Sequence, residues 1–295
     1  MSALEMALKA GRFVVTAEVG PPKGVDVEET LEAAQLLSQW VVAVNVTDQQ
    51  SSVMRLGPLA VSHLLHERGI EPIYQLTCRD RNRIALQSDL LSAYVLGIEN
   101  VLCLTGDYVT LGDHPQAKPV FDLDSVTLLH TLAQLEAGHD LAGKALQGSP
   151  RFFPGAVVNP GANPLEPQIA KMEKKIKAGA RFFQTQAVYD PRQFESFMEQ
   201  VKDFGVPVLV GIIPLKSAGM ARFMNRNVAG VNVPESLIEE MESAEDRRQT
   251  SIHMAARLIN EMRDLCQGVH IMPIGWERYV PAILEAAGLE RTARR

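Results

Sequence analysis

The sequence predicts a single domain that spans residues 1–295 and folds as an α/β protein, a (β/α)8 TIM barrel. Apolar runs rich in β-branched residues alternate with helical patterns almost without interruption along the chain. The runs number eight, which is the count that closes a parallel barrel. A length of 295 residues is also close to the usual size of this fold.

The predicted strands are short runs with the composition that β-strands favour, each bounded by turn residues. They lie at residues 12–19, 41–47, 71–77, 100–106, 152–158, 181–188, 206–213 and 268–274. The predicted helices show apolar residues at the spacing of an amphipathic helix. They lie at residues 26–39, 57–68, 80–96, 124–137, 165–178, 191–203, 217–224, 235–243, 246–266 and 276–287.

Residues at the element boundaries support this alternation. Asp26 precedes a helical run with acidic residues in its first turn, which is typical of an N-terminal cap. Four glycines follow predicted helices and precede strands, as helix C-termini require: Gly69, Gly97, Gly179 and Gly205. The alternative, an open doubly wound sheet, is disfavoured because neither a GxGxxG motif nor a P-loop follows the first strand.

Composition and charge exclude several classes of function. The formal net charge is -6 and the pI is about 5.7, so bulk electrostatic binding to nucleic acid or to an anionic membrane is not expected. No run approaches the ~18 apolar residues of a membrane span, and residues 1–13 lack the long apolar segment of a secretion signal. We therefore expect a cytoplasmic protein with no membrane span and no nucleic-acid partner.

The cysteines predict neither a metal site nor a disulfide framework. Cys78, Cys103 and Cys266 are far apart in sequence, and the chain has no CxxC or HExxH motif. We expect buried free thiols and no bound metal. The seven histidines form no obvious pair, and we interpret them as surface or packing residues.

Polar side chains at predicted strand ends are the strongest functional signal, because barrel enzymes build their sites at the carboxyl ends of the strands. Glu18 is a candidate general acid, or a structural partner of a Lys or Arg. Asp107 follows Gly106, which permits close approach of a flat ligand; the alternative is a turn or helix-cap residue. Gln186 carries an amide that can both donate and accept, and so can read a pterin or flavin edge; the alternative is a solvated residue.

Other segments carry weaker signals. The irregular stretch 107–123 follows a strand end, so we expect a mobile active-site loop, whereas 138–151 follows a helix and is expected on the opposite face. Thr47 and Asp48 either hydrogen-bond a ribityl chain or phosphate, or are turn residues. Four lysines crowd one helix, where they form a solvated face or neutralise a phosphate: Lys171, Lys174, Lys175 and Lys177.

Taken together, these motifs resemble the methylenetetrahydrofolate reductase family. The resemblance runs from about residue 12 to about residue 287, and it rests on the order and spacing of several segments rather than on a single motif. The matching segments are TAEVGPPKG, VNVTDQ, LTCRDRNR, GIENVLCLTGD, FFPGAVVNP, KKIKAGARFFQTQAVYD and GIIPLKS. The length is similar to that of the short bacterial form of the family.

The resemblance implies a flavin-containing barrel that reduces 5,10-methylenetetrahydrofolate to 5-methyltetrahydrofolate. In such a ping-pong reaction, reduced nicotinamide passes hydride to flavin N5 and leaves, and folate then takes its place. Glu18 matches the catalytic acid that promotes opening of the folate imidazolidine ring. Asp107 matches the aspartate beside the flavin and the pterin. Gln186 matches the glutamine that contacts the pterin, so all three are implied to bind the folate substrate.

The resemblance also implies a bound FAD, with FMN as the alternative. Implied contacts at strand ends are Thr47, Asp48, Gln75, Thr105, Gly106 and Asp107. The family holds the ribityl, phosphate and adenine groups where this chain has Asn159, Asn163, Gln168, Lys171, Lys174 and Lys175. The implied electron donor is NADH, NADPH or an electron-transfer partner subunit, and the family also implies an oligomer.

The chain departs from the family pattern at several positions. Gln75 stands where the family often has His, Thr105 where it has Arg or a similar residue, and Asn159 where Tyr is common. Residues 270–275 read HIMPIG instead of an HFYTLN-like sequence. Two alternatives therefore remain: a flavin-free reductase with direct hydride transfer from NAD(P)H, and a folate-binding subunit of an electron-relaying complex. A pterin-dependent methyltransferase is disfavoured because no zinc–thiolate set is present.

Overall fold

The eight predicted strands form one closed parallel barrel, in which the last strand pairs with the first. The computed structural model describes residues 1–291. It confirms the fold class predicted from the sequence. The strands, in barrel order, are Val14–Val19 (β1), Ala43–Val46 (β2), Pro72–Thr77 (β3), Asn100–Leu104 (β4), Phe153–Val158 (β5), Phe182–Ala187 (β6), Val208–Ile212 (β7) and Gly268–Ile271 (β8).

Helices connect successive strands around the outside of the barrel, and three of them lie between β7 and β8. Within the described residues, no helix has both the length and the apolar character needed to cross a membrane. The helices are Ala3–Lys9 (α1), Glu28–Leu37 (α2), Pro58–Glu67 (α3), Arg83–Val95 (α4), Ser125–Glu136 (α5), Glu166–Lys177 (α6), Pro191–Val201 (α7), Ala218–Asn227 (α8), Glu235–Ser243 (α9), Arg247–Met262 (α10) and Val280–Ala286 (α11).

The predicted helix boundaries are close to the observed ones. α2 begins at Glu28, and its N-cap residue is Val27, with no side-chain capping bond, so the prediction of Asp26 as the cap is wrong by one residue. Oδ1 of Asp26 still accepts a hydrogen bond from the Glu28 N–H at 3.2 Å, because the chain turns just before the helix. The four glycines predicted at helix C-termini all have positive φ. This left-handed conformation ends each helix without the steric cost that a Cβ would add.

The short helix α1 closes the amino-terminal end of the barrel, and it was not among the predicted helices. Its seven residues make fewer than two full turns, too few for a periodic pattern. The buried residues Leu4, Ala7 and Leu8 pack against the first inward-facing side chains of seven strands. Those side chains are Val14, Ala43, Ile73, Leu102, Phe153, Phe182 and Leu209. This end of the barrel is therefore solid apolar core, and the opposite end is the open one.

The three cysteines are buried free thiols, as predicted. Burial raises the pKa of Cys78 to about 12 and that of Cys266 to about 11. Burial also raises the pKa of Cys103 well above its ordinary value. Because the thiolate is the reactive form, these side chains are packing residues.

Candidate active site

A cavity of about 410 Å³ opens at the carboxyl-terminal end of the barrel, within the range of about 300–1,000 Å³ that is usual for small-molecule sites. All eight strands direct their carboxyl ends toward this face, so side chains far apart in sequence meet there. Of the fourteen predicted site residues, eleven line the cavity: Glu18, Asp48, Gln75, Thr105, Gly106, Asp107, Asn159, Gln168, Lys171, Lys175 and Gln186.

Three predicted site residues do not line the cavity. Thr47 is buried just after β2, and its hydroxyl has no hydrogen-bond partner among residues 1–291. Asn163 lies exposed on the segment before α6. Lys174 is exposed because α6 turns Lys171 and Lys175, four residues apart, toward the cavity and leaves Lys174 on another face.

Glu18 is buried in the cavity wall beside a histidine. Its side chain is 8% exposed, and its Oε2 lies 3.6 Å from Nε2 of His270, which is 4% exposed. Nε2 of Gln50 donates to the other carboxylate oxygen at 3.5 Å. No Lys or Arg in the described part of the chain forms an ion pair with Glu18. Within the described residues, Glu18 therefore lacks the structural Lys or Arg partner that was the alternative to a general acid.

His270 is a site residue that the sequence reasoning missed, since the histidines were interpreted as surface or packing residues. It is buried, and it lines the cavity. β8 pairs with β1 in a register that places His270 opposite Thr16, one alternation below Glu18. A signal was present in the sequence: a titratable residue in an apolar run that ends a strand, as for Glu18.

A buried network of polar side chains supports His270 from below. Nδ1 of His270 lies 3.0 Å from Oγ1 of Thr16, and Nε2 of Gln184 donates to the same oxygen at 3.3 Å. Gln184 and Asn45 exchange two amide hydrogen bonds, of 2.8 and 3.1 Å. Polar groups in a barrel interior are costly unless they are paired, and this pairing fixes the imidazole plane relative to Glu18.

Asp107 lies at the mouth of the cavity, on the opposite side from the interior network. Its Oδ2 accepts a hydrogen bond from the backbone N–H of Ser51 at 3.1 Å, so the loops after β2 and β4 meet at this carboxylate. Asp124, not Asp107, caps the following helix α5. Gly106 has φ +97, and a Cβ placed on it would lie 3.0 Å from Cβ of Arg79. The chain therefore turns closely over Arg79 into the cavity.

Two glutamine amides in the cavity wall have unused hydrogen-bonding groups. Gln75 is 8% exposed, and its carboxamide makes no hydrogen bond to any residue from 1 to 291. Gln186 accepts at Oε1 from the N–H of Ala187 at 3.0 Å, which leaves its amide nitrogen without a partner in the described chain. Both groups face the cavity, so they suit a ligand that donates and accepts along a flat edge.

The wall formed by β5 and α6 is positively charged. Lys175 is buried, and its Nζ donates to the carbonyl of Val157 at 2.6 Å. Burial, together with the nearby charge of Lys171, lowers the pKa of Lys175 to about 8. Neither lysine forms an ion pair within the described residues. The two ammonium groups therefore favour an anionic ligand at this end of the cavity.

Three other predicted contacts are already bound within the protein. Asp48 accepts from the N–H and the hydroxyl of Thr77 at 2.9 and 2.8 Å and pairs with Arg81 at 2.7 Å. Asn159 donates to the carbonyl of Ala229 at 3.0 Å and accepts from Gly161 at 3.1 Å. The Thr105 hydroxyl bonds to Ser125 at the start of α5. Because their polar groups already have partners in the protein, these three side chains contribute to the shape of the cavity wall and have few free hydrogen-bonding groups for a ligand.

A family model described as methylenetetrahydrofolate reductase matches residues 3–288. The chain belongs to the methylenetetrahydrofolate reductase family. This assignment confirms the resemblance found in the sequence, and it covers all eight strands of the barrel.

Named relatives of this family align with most of the chain at low identity. The chain is 25% identical over 228 residues to methylenetetrahydrofolate reductase 2 of Schizosaccharomyces pombe, covering 72% of this chain and 35% of that protein. It is 27% identical over 212 residues to 5,10-methylenetetrahydrofolate reductase of Pectobacterium carotovorum, covering 70% and 66%. For the Escherichia coli protein of the same name, identity is 23% over 257 residues, covering 85% and 81%. The chain thus spans about a third of the yeast relative and about two thirds of the Pectobacterium one.

Solved structures share the fold. An uncharacterized protein from Clostridium thermocellum, described as binding two copies of 5-methyl-5,6,7,8-tetrahydrofolic acid, superposes with a TM-score of 0.66 at 17% identity over 97% of both chains. A 2,3-dimethylmalate lyase of the PEP mutase/isocitrate lyase superfamily superposes with a TM-score of 0.53 at 13% identity, covering 98% of this chain and 86% of that one. At such identities these likenesses concern the barrel architecture alone.

Proposed function

We propose that the protein reduces 5,10-methylenetetrahydrofolate to 5-methyltetrahydrofolate and that Glu18 is its catalytic acid. The observation that carries the proposal is the buried contact between Glu18 and His270 in the wall of the one cavity that collects the predicted site residues. A carboxyl group held by an imidazole in an apolar barrel is suited to deliver a proton to a bound substrate. Family membership supplies the substrate class.

The reaction needs a proton and a hydride. The Glu18 carboxyl gives its proton to a nitrogen of the folate imidazolidine ring, whose carbon–nitrogen bond then opens to leave an iminium carbon. That carbon accepts the hydride and becomes the methyl group. His270 holds the Glu18 carboxylate from one side and Gln50 from the other, which fixes the direction of proton transfer. Gln186 and Asp107 stand at the mouth, where they would orient the pterin edge.

The residues present fit a flavin. Gln75 offers a nearly buried amide without a partner, Gly106 allows close backbone approach, and Lys171 and Lys175 offer positive charge for a phosphate. A bound flavin would supply the hydride, after receiving it from NADH, NADPH or an electron-transfer partner. We propose FAD, with FMN as the second candidate because Asn163 and Lys174, two of the six residues matched to the ribityl, phosphate and adenine groups, lie outside the cavity.

A second candidate is a flavin-free reductase that transfers hydride directly from NAD(P)H to folate. It is favoured by the internal hydrogen bonds of Asp48, Thr105 and Asn159, which occupy three of the side chains expected to hold the flavin. A folate-binding subunit without catalysis is disfavoured, because Glu18 and Asp107 are both present at the cavity.

The deciding experiment is the absorbance spectrum of the purified protein, with mass spectrometry of whatever acid releases, followed by an assay of folate reduction. Released FAD or FMN with nicotinamide-dependent folate reduction supports the first proposal and identifies the flavin. A colourless protein that still reduces methylenetetrahydrofolate with NADH or NADPH supports the flavin-free reductase. A protein that reduces no folate with added flavin, whether the reductant is NADH, NADPH or dithionite, contradicts both.

A further inference from the structure

The RDRNR motif at residues 79–83 ties together the loops at the cavity mouth, and the proposed reaction does not by itself require this. Its three arginines contact the neighbouring loops at this face. The contacts are those of Arg79 with the carbonyls of Gln49 and Asp107, of Arg81 with the carboxylate of Asp48, and of Arg83 with the carboxylate of Asp122. The motif thus binds the loop after β2 and both ends of the loop after β4.

Arg79 differs from the other arginines of the motif because it is buried. Its side chain is 2% exposed, whereas that of Arg83 is 54% exposed. Asp80 neutralises it through two hydrogen bonds, from Nε at 2.9 Å and from Nη2 at 2.7 Å. The Asp80 side chain is 40% exposed, so this partner lies partly in solvent and does not by itself offset the free-energy cost of burying the guanidinium. A buried guanidinium at this position is therefore better explained by what its remaining N–H groups hold.

The Asp107 carboxylate accepts a hydrogen bond from the Ser51 N–H, and the remaining N–H groups of Arg79 bind the backbone of both loops that make this contact. Arg79 donates to the carbonyl of Asp107 at 3.4 Å and to that of Gln49 at 3.4 Å. Ser51, two residues after Gln49, donates its N–H to Oδ2 of Asp107. One guanidinium thus contacts both the residue that carries the carboxylate and the loop that supplies its donor.

The loop after β2 needs such support, because its backbone is unfavourable. Gln49, Ser51 and Ser52 have φ values of 49, 54 and 60. Left-handed backbone is unfavourable at residues other than glycine and persists only where surrounding contacts impose it. Loss of the Arg79 contacts would let these residues relax, and the Ser51 N–H would then turn away from Asp107.

We propose that Arg79 is the positioning residue for Asp107, acting through the two carbonyls that fix Asp107 and the Ser51 loop. The inference rests on the proposed function for its catalytic consequence, but its structural part stands on these contacts alone. It also explains why Gly106 lies against Arg79: the chain must cross the guanidinium stem to bring the Asp107 carbonyl within its reach.

The first test is a double-mutant cycle on folate reduction. Arg79→Met is expected to lower the rate by about 100-fold, the order of loss caused by misplacing a reacting group by about 1 Å. In an Asp107→Asn background the same substitution should lower the rate by less than about threefold, because residues that act through one another are not additive. Arg83→Met, on the exposed arginine of the same motif, is the matched control and should leave the rate unchanged. Equal losses in both backgrounds would overturn the proposal.

The second test is amide hydrogen exchange, which does not depend on activity. Arg79→Met should speed exchange in peptides that cover residues 48–54 and 105–112, and Arg83→Met should speed it only near Asp122. Arg79→Lys keeps the charge and gives a second variant should the methionine variant not fold; it should loosen the same two peptides. Unchanged exchange in both Arg79 variants would overturn the inference. A wild-type protein that reduces no folate would instead overturn the proposed function, and the exchange result would still decide the role of Arg79.

Discussion

Nε2 of His270 lies 3.6 Å from Oε2 of Glu18, although the two residues belong to the last and the first strand of the barrel. The pairing of β8 with β1 is the contact that closes the sheet. The proposed catalytic acid and its histidine neighbour are therefore brought together by barrel closure itself. A substitution that weakens the pairing of β8 with β1 should therefore affect the site as well as the fold.

Replacement of Glu18 by glutamine should remove the proton donor and keep the shape of the cavity. We expect Glu18→Gln to lower methylenetetrahydrofolate reduction by at least about 100-fold, the usual contribution of a general acid. Oxidation of NADH or NADPH by the bound flavin should stay close to the wild-type rate. Stopped-flow absorbance of the two half-reactions measures both, and Glu29→Gln, an exposed acid on α2, serves as the control. Similar losses in both half-reactions would contradict the assignment.

His270 offers a graded test of the same contact. His270→Asn can keep a hydrogen bond to Thr16 but cannot reach Glu18, whereas His270→Leu loses both contacts. We expect both variants to slow folate reduction by about 10- to 100-fold, at the low end of acid–base contributions. Only the leucine variant should lose a further ~1 kcal/mol of unfolding free energy, because it removes the hydrogen bond between Thr16 and the ring from a buried polar network. Steady-state rates and urea unfolding separate the two effects, and a fully active leucine variant would exclude His270 from the site.

The depressed pKa of Lys175 should be visible as a pH dependence of stability. Its folded-state pKa of about 8 lies below its ordinary value of 10.5, so between these pH values the unfolded chain holds a proton that the folded one has released. The unfolding free energy of the ligand-free protein should therefore rise with pH in this window, by roughly 1–3 kcal/mol in total from this group. Urea unfolding of Lys175→Met should show a smaller rise, and the exposed control Lys174→Met should match the wild type.

The same group should control the binding of anions. Below pH 8 Lys175 carries the charge that favours a phosphate, and above it the charge is lost. The affinity for a flavin nucleotide should therefore fall as the pH is raised from 7 to 9.5, measured by fluorescence titration of the apoprotein. In Lys175→Met the affinity should be lower and nearly independent of pH in this range. A pH-dependent affinity that survives in the variant would place the phosphate elsewhere.

Gly106 should tolerate no side chain. Its φ of +97 is strained for any L-residue, and a Cβ would lie 3.0 Å from Arg79 and 3.2 Å from Thr77. We expect Gly106→Ala to lower the unfolding free energy by about 1–3 kcal/mol and to weaken flavin binding. Gly24→Ala is the matched control, since Gly24 has open space around it and no positive φ. Chemical unfolding with both variants checks this, and equal stabilities would show that the loop can adjust.

The sequence allowed prediction of the barrel, because buried parallel strands and amphipathic helices leave strong local patterns. It also located Glu18, Asp107 and Gln186, because a polar side chain that ends an apolar strand is visible without knowledge of the fold. Proximity could not be predicted in the same way. Thr16 and His270 are 254 positions apart, and only the register between the first and last strands makes them neighbours.

Local sequence pattern also could not predict which polar side chains have their hydrogen-bonding groups paired within the protein. Asn159 is a polar residue at a strand end, as Gln75 is, yet its amide is bound to the carbonyl of Ala229 while that of Gln75 faces the cavity without a partner. The difference depends on a loop 70 positions further along the chain. Residue type and position therefore predicted eleven of the residues that line the cavity, but they misplaced Thr47, Asn163 and Lys174 and missed His270. The tertiary contacts decide which of the lining groups remain free to bind.

The helix that closes the floor of the barrel has a consequence for biosynthesis. α1 precedes all eight strands in the chain, and its buried residues share one apolar cluster with side chains from β1 to β7, the last of which is Leu209. Its docking surface is therefore incomplete until β7 has left the ribosome. The helix must wait unpaired until then, and its docking can be followed as a late event in the maturation of the protein.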